Sequence, residues 1–153
     1  MRKFIAVALA LAFAGVGGAA TSVRPMSLEE LVRGSECVVL ADVESVSSQW
    51  DAEGRMIYTY VTLKVAECWK GAPAQTVVVR VPGGQVGDVR VRVSESPVFL
   101  AGERVAAFLR SRNGATEVTG WFRGKLTVTG SEVREMRNKT LGQLRADVQA
   151  LAN

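Results

Sequence analysis

Residues 37–68, CVVLADVESVSSQWDAEGRMIYTYVTLKVAEC, decide the fold. Val39, Ala41 and Val43 recur at every second position before a polar break, and Val61, Leu63 and Val65 do the same after it. A period of two puts each set on one face of an extended chain. The segment therefore predicts two half-buried strands, 37–46 and 56–68, joined as a hairpin through Asp51-Ala52-Glu53-Gly54.

The β pattern continues downstream. Val77, Val79 and Val81 alternate with Thr76, Val78 and Arg80 in a third strand over 75–81, and beyond PGGQVGD (82–88) Val89, Val91 and Val93 alternate with Arg90 and Arg92. Pro82 and three glycines allow the chain to reverse, so 75–93 predicts a second hairpin with Val81 opposite Val89. At 104–109 the run Val105-Ala106-Ala107-Phe108-Leu109 has no polar face, as expected of a strand covered on both sides. Shorter strands are expected at 117–122 and 125–129, around Gly124.

Helices flank this β region. Ser27 and Glu30 have the spacing of a capping box and open a short helix over 27–33, stopped by Gly34. Thr140 and Gln143 form a second box, after which Leu141, Leu144, Val148 and Leu151 recur at steps of three and four. That spacing predicts an amphipathic C-terminal helix needing a surface to cover. No convincing helix interrupts 37–129, and parallel strands would require helical crossovers. The expected fold is mainly β: a small OB-like β-barrel of five to seven strands with a short N-terminal helix and a C-terminal amphipathic helix. An immunoglobulin-type sandwich is the alternative, disfavoured by the length of the first two strands.

Residues 1–20 have a different character. Met1-Arg2-Lys3 precedes an apolar run from Phe4 to Val16, followed by Gly17-Gly18-Ala19-Ala20. A cationic head, an apolar middle and small residues at the end are the pattern of a secretory signal peptide, with the cut expected before Thr21. A membrane span needs roughly 20 apolar residues, more than this run provides, and no cysteine near the junction suggests a lipid anchor. Export to the periplasm or the extracellular space follows, with one β-barrel domain over 21–153. Removing the leader from the 153 residues leaves 133, and its two cations reduce 19 basic residues to 17 against 15 acidic ones. The remaining balance of +2 is too small to imply nucleic-acid or membrane binding. Histidine is absent from the sequence, which excludes Ser-His-Asp and Cys-His catalysis and any histidine-bearing zinc site.

PGGQVGD (82–88), SPVFLAGERVAAFL (96–109) and GWFRGK (120–125) resemble, in content and order, a pattern found in uncharacterised exported bacterial proteins. The resemblance implies an OB-like barrel related in outline to the netrin and metalloproteinase-inhibitor modules, and it implies no activity. Those inhibitors hold the protease zinc through an N-terminal cysteine, whereas the first cysteine here is Cys37, well beyond the expected start at Thr21. Their mechanism does not transfer, because fold does not fix function.

Several constellations remain to be placed. Cys37 and Cys68, at the two ends of the first hairpin, are candidates either for a disulfide or for two separate thiols. In a regular ladder they would point to opposite faces; a β-bulge would bring them to one face. Arg80, Arg90 and Arg92 share the non-core face of the expected second hairpin, with Arg80 opposite Arg90. Such a face is either a solvated cationic surface or a site for an anionic partner, and Trp50, Tyr58 and Tyr60 are aromatic candidates for stacking beside it. Gly83, Gly84 and Gly87 lead into a strand, so they form a turn, not a phosphate loop. Glu29-Glu30 and Glu132/Glu135 fit capping and solvation, Ser94 and Ser96 lack a partnered base, and Lys125 has no positional link to either. Asn138-Lys139-Thr140 matches a glycosylation acceptor, which matters only in a eukaryotic secretory pathway.

No catalytic residue, cofactor or metal site is expected. The leading expectation is an exported, non-catalytic binding or accessory module that recognises a protein or polymer ligand outside the cytoplasm, with no specific nucleic-acid signature and no membrane span after cleavage. A histidine-free, carboxylate-based hydrolase and a structural cell-envelope protein are the alternatives. Two carboxylates facing across a deep pocket would favour the hydrolase, a basic-aromatic face the binding module, and exposed apolar area around the last helix the envelope protein.

Overall fold

The computed structural model describes residues 25–153; the expected leader, 1–20, lies outside the described residues. Helix α1 (Leu28–Arg33) is followed by strands β1 (Cys37–Trp50), β2 (Ile57–Lys70) and β3 (Thr76–Pro82). A short ribbon of β4 (Gly84–Val86) and β5 (Val89–Val91) comes next. Strands β6 (Arg104–Arg112), β7 (Ala115–Val118), β8 (Lys125–Thr129) and β9 (Glu132–Val133) then precede helix α2 (Leu141–Ala152). Both capping boxes form: Ser27 Oγ accepts from the Glu30 amide, and Thr140 Oγ1 from the Gln143 amide.

The sheet runs β1-β2-β3-β7-β6-β8-β9, and β6 also pairs with β1. Following β1-β2-β3-β7-β6 back to β1 describes a five-stranded ring, closed between β3 and β7 by one parallel pairing, Val79 with Thr116. This is the OB-like barrel. Ring closure gives β1 and β6 two buried faces. Val39, Ala41, Val105, Ala107 and Leu109 fill the barrel interior, while Val38, Leu40, Ala106 and Phe108 pack outward beneath α1 and α2. That double cover accounts for the apolar run at 105–109.

The β1–β2 hairpin is 14 residues long on each side, far beyond the ~5–6 of an ordinary strand. Its register shifts between Val38 and Val39, between Leu40 and Ala41, and between Val43 and Ser45. Each shift leaves one residue unpaired and bends the ribbon, which lets one hairpin serve both the barrel wall and the layer under the helices. Helix α2 is held to it by charge as well as by packing. Arg145 grips Glu67 through two bonds of 2.6 and 2.8 Å, and the Trp69 indole N–H donates to the same carboxylate at 2.9 Å.

Two expected elements differ. The pairing of Val81 with Val89 does not form: Val81 pairs with Thr59 of β2, and β4 and β5 form a separate ribbon in which Gly84 faces Val91 and Gln85 faces Arg90. Gly84, at φ 142°, lies so close to Ser48 and Thr59 that a Cβ there would sit 2.4 and 2.5 Å from their hydroxyls. The chain thus crosses the end of the first hairpin before turning. The strand expected over 117–122 stops at Val118. Both β7 and β8 pair with the same edge of β6, Val118 opposite Leu109 and Lys125 opposite Ala107, so residues 119–124 loop out of one strand path opposite Phe108 alone. Positive φ at Gly120 (69°) and Trp121 (58°) ends the extended backbone there, and a 3-10 turn at Trp121–Gly124 returns the chain to the sheet.

Candidate functional site

The outer face of β6 changes character where the helices stop covering it. Ala106 and Phe108 lie beneath them, and at the same alternation Arg110 and Arg112 continue beyond. Arg110 is paired in register with Glu117 of β7, and Arg112 with Ala115. On β3, Arg80 stands between the buried Val79 and Val81 and so turns outward. Its guanidinium donates to Glu117 at 2.7 Å and lies 4.9 Å from the centre of the Tyr58 ring. Tyr60 is its cross-strand neighbour.

Tyr58, Arg80, Arg110, Arg112 and Glu117 line a cleft of about 230 Å³, with Trp121 from the looped-out segment and Pro82 and Pro97 completing its wall. Among the described residues, three arginines line it against the single carboxylate of Glu117. The Glu117 hydrogen bond, partly opposed by burial, raises the Arg80 pKa above that of an ordinary arginine. Among the described residues, the buried Nε–H groups of Arg80 and Arg110 have no hydrogen-bond acceptor. A buried donor without an acceptor is unfavourable by about 1–3 kcal/mol, and both of these belong to arginines that line the cleft.

Of the arginines expected to act together, only Arg80 is here. Arg90 lies on the exposed ribbon, donating to Gln85 Oε1 at 3.0 and 2.6 Å, and Arg92 lines a different cavity. Because Gln85, not Arg80, faces Arg90, the expected pair of opposed like charges does not arise. Of the aromatic candidates, Tyr58 lines the cleft, Tyr60 adjoins Arg80, and Trp50 lies at the tip of the first hairpin opposite Ile57. Arg110, Arg112, Glu117 and Trp121 were not anticipated. The period-two continuation of Phe108 into Arg110 and Arg112 was a signal that could have found two of them.

The remaining candidates have structural partners. Cys37 is half-buried and Cys68 exposed, and the thiols are unbridged. Cys68 pairs in register with Val39, while Gly71 packs against Cys37, where a Cβ would come within 3.0 Å of the Cys37 Cβ. The bulges therefore bring both cysteines to one face but displace them along the ribbon. Burial first, and the nearby Cys68 second, push the Cys37 thiol pKa up. Lys125 forms a 2.8 Å ion pair with Glu103 and Ser96 donates to the Pro82 carbonyl. Glu29 pairs with Arg33, and Glu135 accepts from the Thr127 amide. No helix among the described residues is long and apolar enough to cross a membrane, and no group of three or more His, Cys, Asp or Glu residues among them could hold a metal ion. Comparison with protein-family models, with curated proteins and with solved structures finds no match to this chain.

Proposed function

We propose that this protein is an exported, non-catalytic binding module whose cleft takes an acidic polymer or an acidic segment of a protein partner. The observation that carries this reading is the cleft's composition: Arg80, Arg110 and Arg112 against one carboxylate, flanked by Tyr58 and Trp121. Guanidinium planes suit carboxylate, sulfate and phosphate groups, and the aromatic faces add a surface for a ring or an aliphatic stem between successive charges. Among the described residues, the Nε–H groups of Arg80 and Arg110 have no acceptor, and Glu117 is the one carboxylate lining the cleft beside three arginines, so their positive charge is only partly matched within the protein. Glu117, the cleft's one acid, is engaged by Arg80, so the hydrolase alternative lacks a second carboxylate in this cleft.

The test is binding of heparin and of poly-glutamate at two salt concentrations. Wild-type protein should bind with an affinity that falls as salt rises. Arg110→Ala with Arg112→Ala should weaken it by about tenfold or more, while Arg90→Ala should leave it nearly unchanged. Equal loss in the Arg90 variant, or no loss in the double variant, would place the site elsewhere. Export is tested separately by sequencing the N-terminus of protein recovered outside the cytoplasm, expected at Thr21; an intact Met1 would refute cleavage.

A further inference from the structure

A second cavity, of about 500 Å³, lies where the β4–β5 ribbon and the irregular segment 92–102 fold across one end of the barrel. It shares only Val81, Pro82 and Pro97 with the basic-aromatic cleft. Its depth is formed by core residues Val61, Val81 and Phe99, and its mouth by Val46 and Val98, which are 38% and 71% exposed. The cavity falls within the ~300–1,000 Å³ typical of small-molecule sites, and barrel mouths are a common place for them.

The polar lining narrows the choice of ligand. Ser48 and Thr59 share a 2.9 Å hydrogen bond, Thr59 donates to the Gly83 carbonyl at 2.7 Å, and Ser96 donates to the Pro82 carbonyl at 2.7 Å. The hydroxyls are therefore committed to holding the ribbon and segment 92–102 in place. Among the described residues, the one charged side chain in the lining is Arg92, which is exposed and has no hydrogen bond or ion pair with any of them. A sugar would find its hydroxyls poorly matched by valines, and a polyanion would meet a single cation. An apolar chain with one negative end satisfies both parts of the site.

We propose that the barrel mouth binds an amphiphile made of one acyl chain and one anionic head, the chain between Val61, Val81 and Phe99 and the head at Arg92. The ligand enters as a free molecule. The reading is independent of the cleft's function, since it rests on different side chains.

Calorimetric titration with octanoate and decanoate, below their micelle concentrations, tests it on the whole protein. Affinity should rise by about fourfold per added methylene as the chain fills the cavity. Decan-1-ol should bind more weakly than decanoate. Arg92→Glu, at an exposed position, should cut decanoate affinity by about tenfold and leave decan-1-ol unchanged. Val46→Trp, at the mouth, should weaken both ligands. The proposal is overturned if no saturable binding is seen, if chain length has no effect, or if Arg92→Glu leaves decanoate affinity untouched. It is also overturned if the protein binds vesicles of phosphatidylglycerol but not free decanoate, because the patch would then be a membrane contact.

Discussion

Two glycines with positive φ separate backbone conformation from crowding. Gly84 and Gly87 both lie in that region, yet a Cβ at Gly84 would collide with Ser48 and Thr59, whereas nothing lies within 4 Å of one at Gly87. Gly87→Ala should therefore destabilise by about 1 kcal/mol, the conformational term alone. Gly84→Ala should be more damaging, about 3 kcal/mol or more, because two β-strand side chains must move as well. Urea denaturation midpoints measure the difference, and equal losses would mean that the ribbon is not seated on the hairpin. The same crowding explains why the order of pairing after PGG was not legible. Alternation of Val89 and Val91 with Arg90 identifies a strand, but says nothing about whether Val81 or Val86 is its partner. That choice depends on a contact with Ser48, far away in sequence.

At the level of elements, α2 owes part of its attachment to a carboxylate that must stay ionised. The Arg145 hydrogen bond, followed by the Trp69 indole, lowers the Glu67 pKa below the usual glutamate value. The stability from this depressed pKa is present above the unfolded-state pKa of glutamate and is lost as pH falls through the folded value. Acidification should thus loosen α2, and Glu67→Gln should remove that part of the pH dependence while lowering stability at neutral pH. Amide hydrogen exchange at Leu144 and Val148, both buried, follows the helix directly. Unchanged acid sensitivity in Glu67→Gln would mean that another group controls its docking. The helix itself could be read from its capping box and its three-and-four spacing. Its anchor could not, since Glu67, Trp69 and Arg145 meet only after bulges have rotated the end of β2.

For the whole molecule, one barrel has two differently built openings on its surface, a cationic cleft with aromatic walls and an apolar mouth with one cation at its rim. The barrel was legible because alternation over 37–68 and the two-sided apolar run at 105–109 follow from burial alone. The cleft was legible only in part: Arg80 and Tyr58 each stood out in the β pattern without being placed together, while Arg110 and Glu117 come from strands joined to β3 by a single parallel pairing and Trp121 from the turn that follows β7. The most direct test of the cleft is an NMR titration that follows the arginine Nε–H signals as heparin is added. Binding at the cleft predicts that the Arg80 and Arg110 resonances shift together to saturation while the Arg90 resonance stays in place; movement of Arg90 with Arg80 and Arg110 unchanged would contradict it.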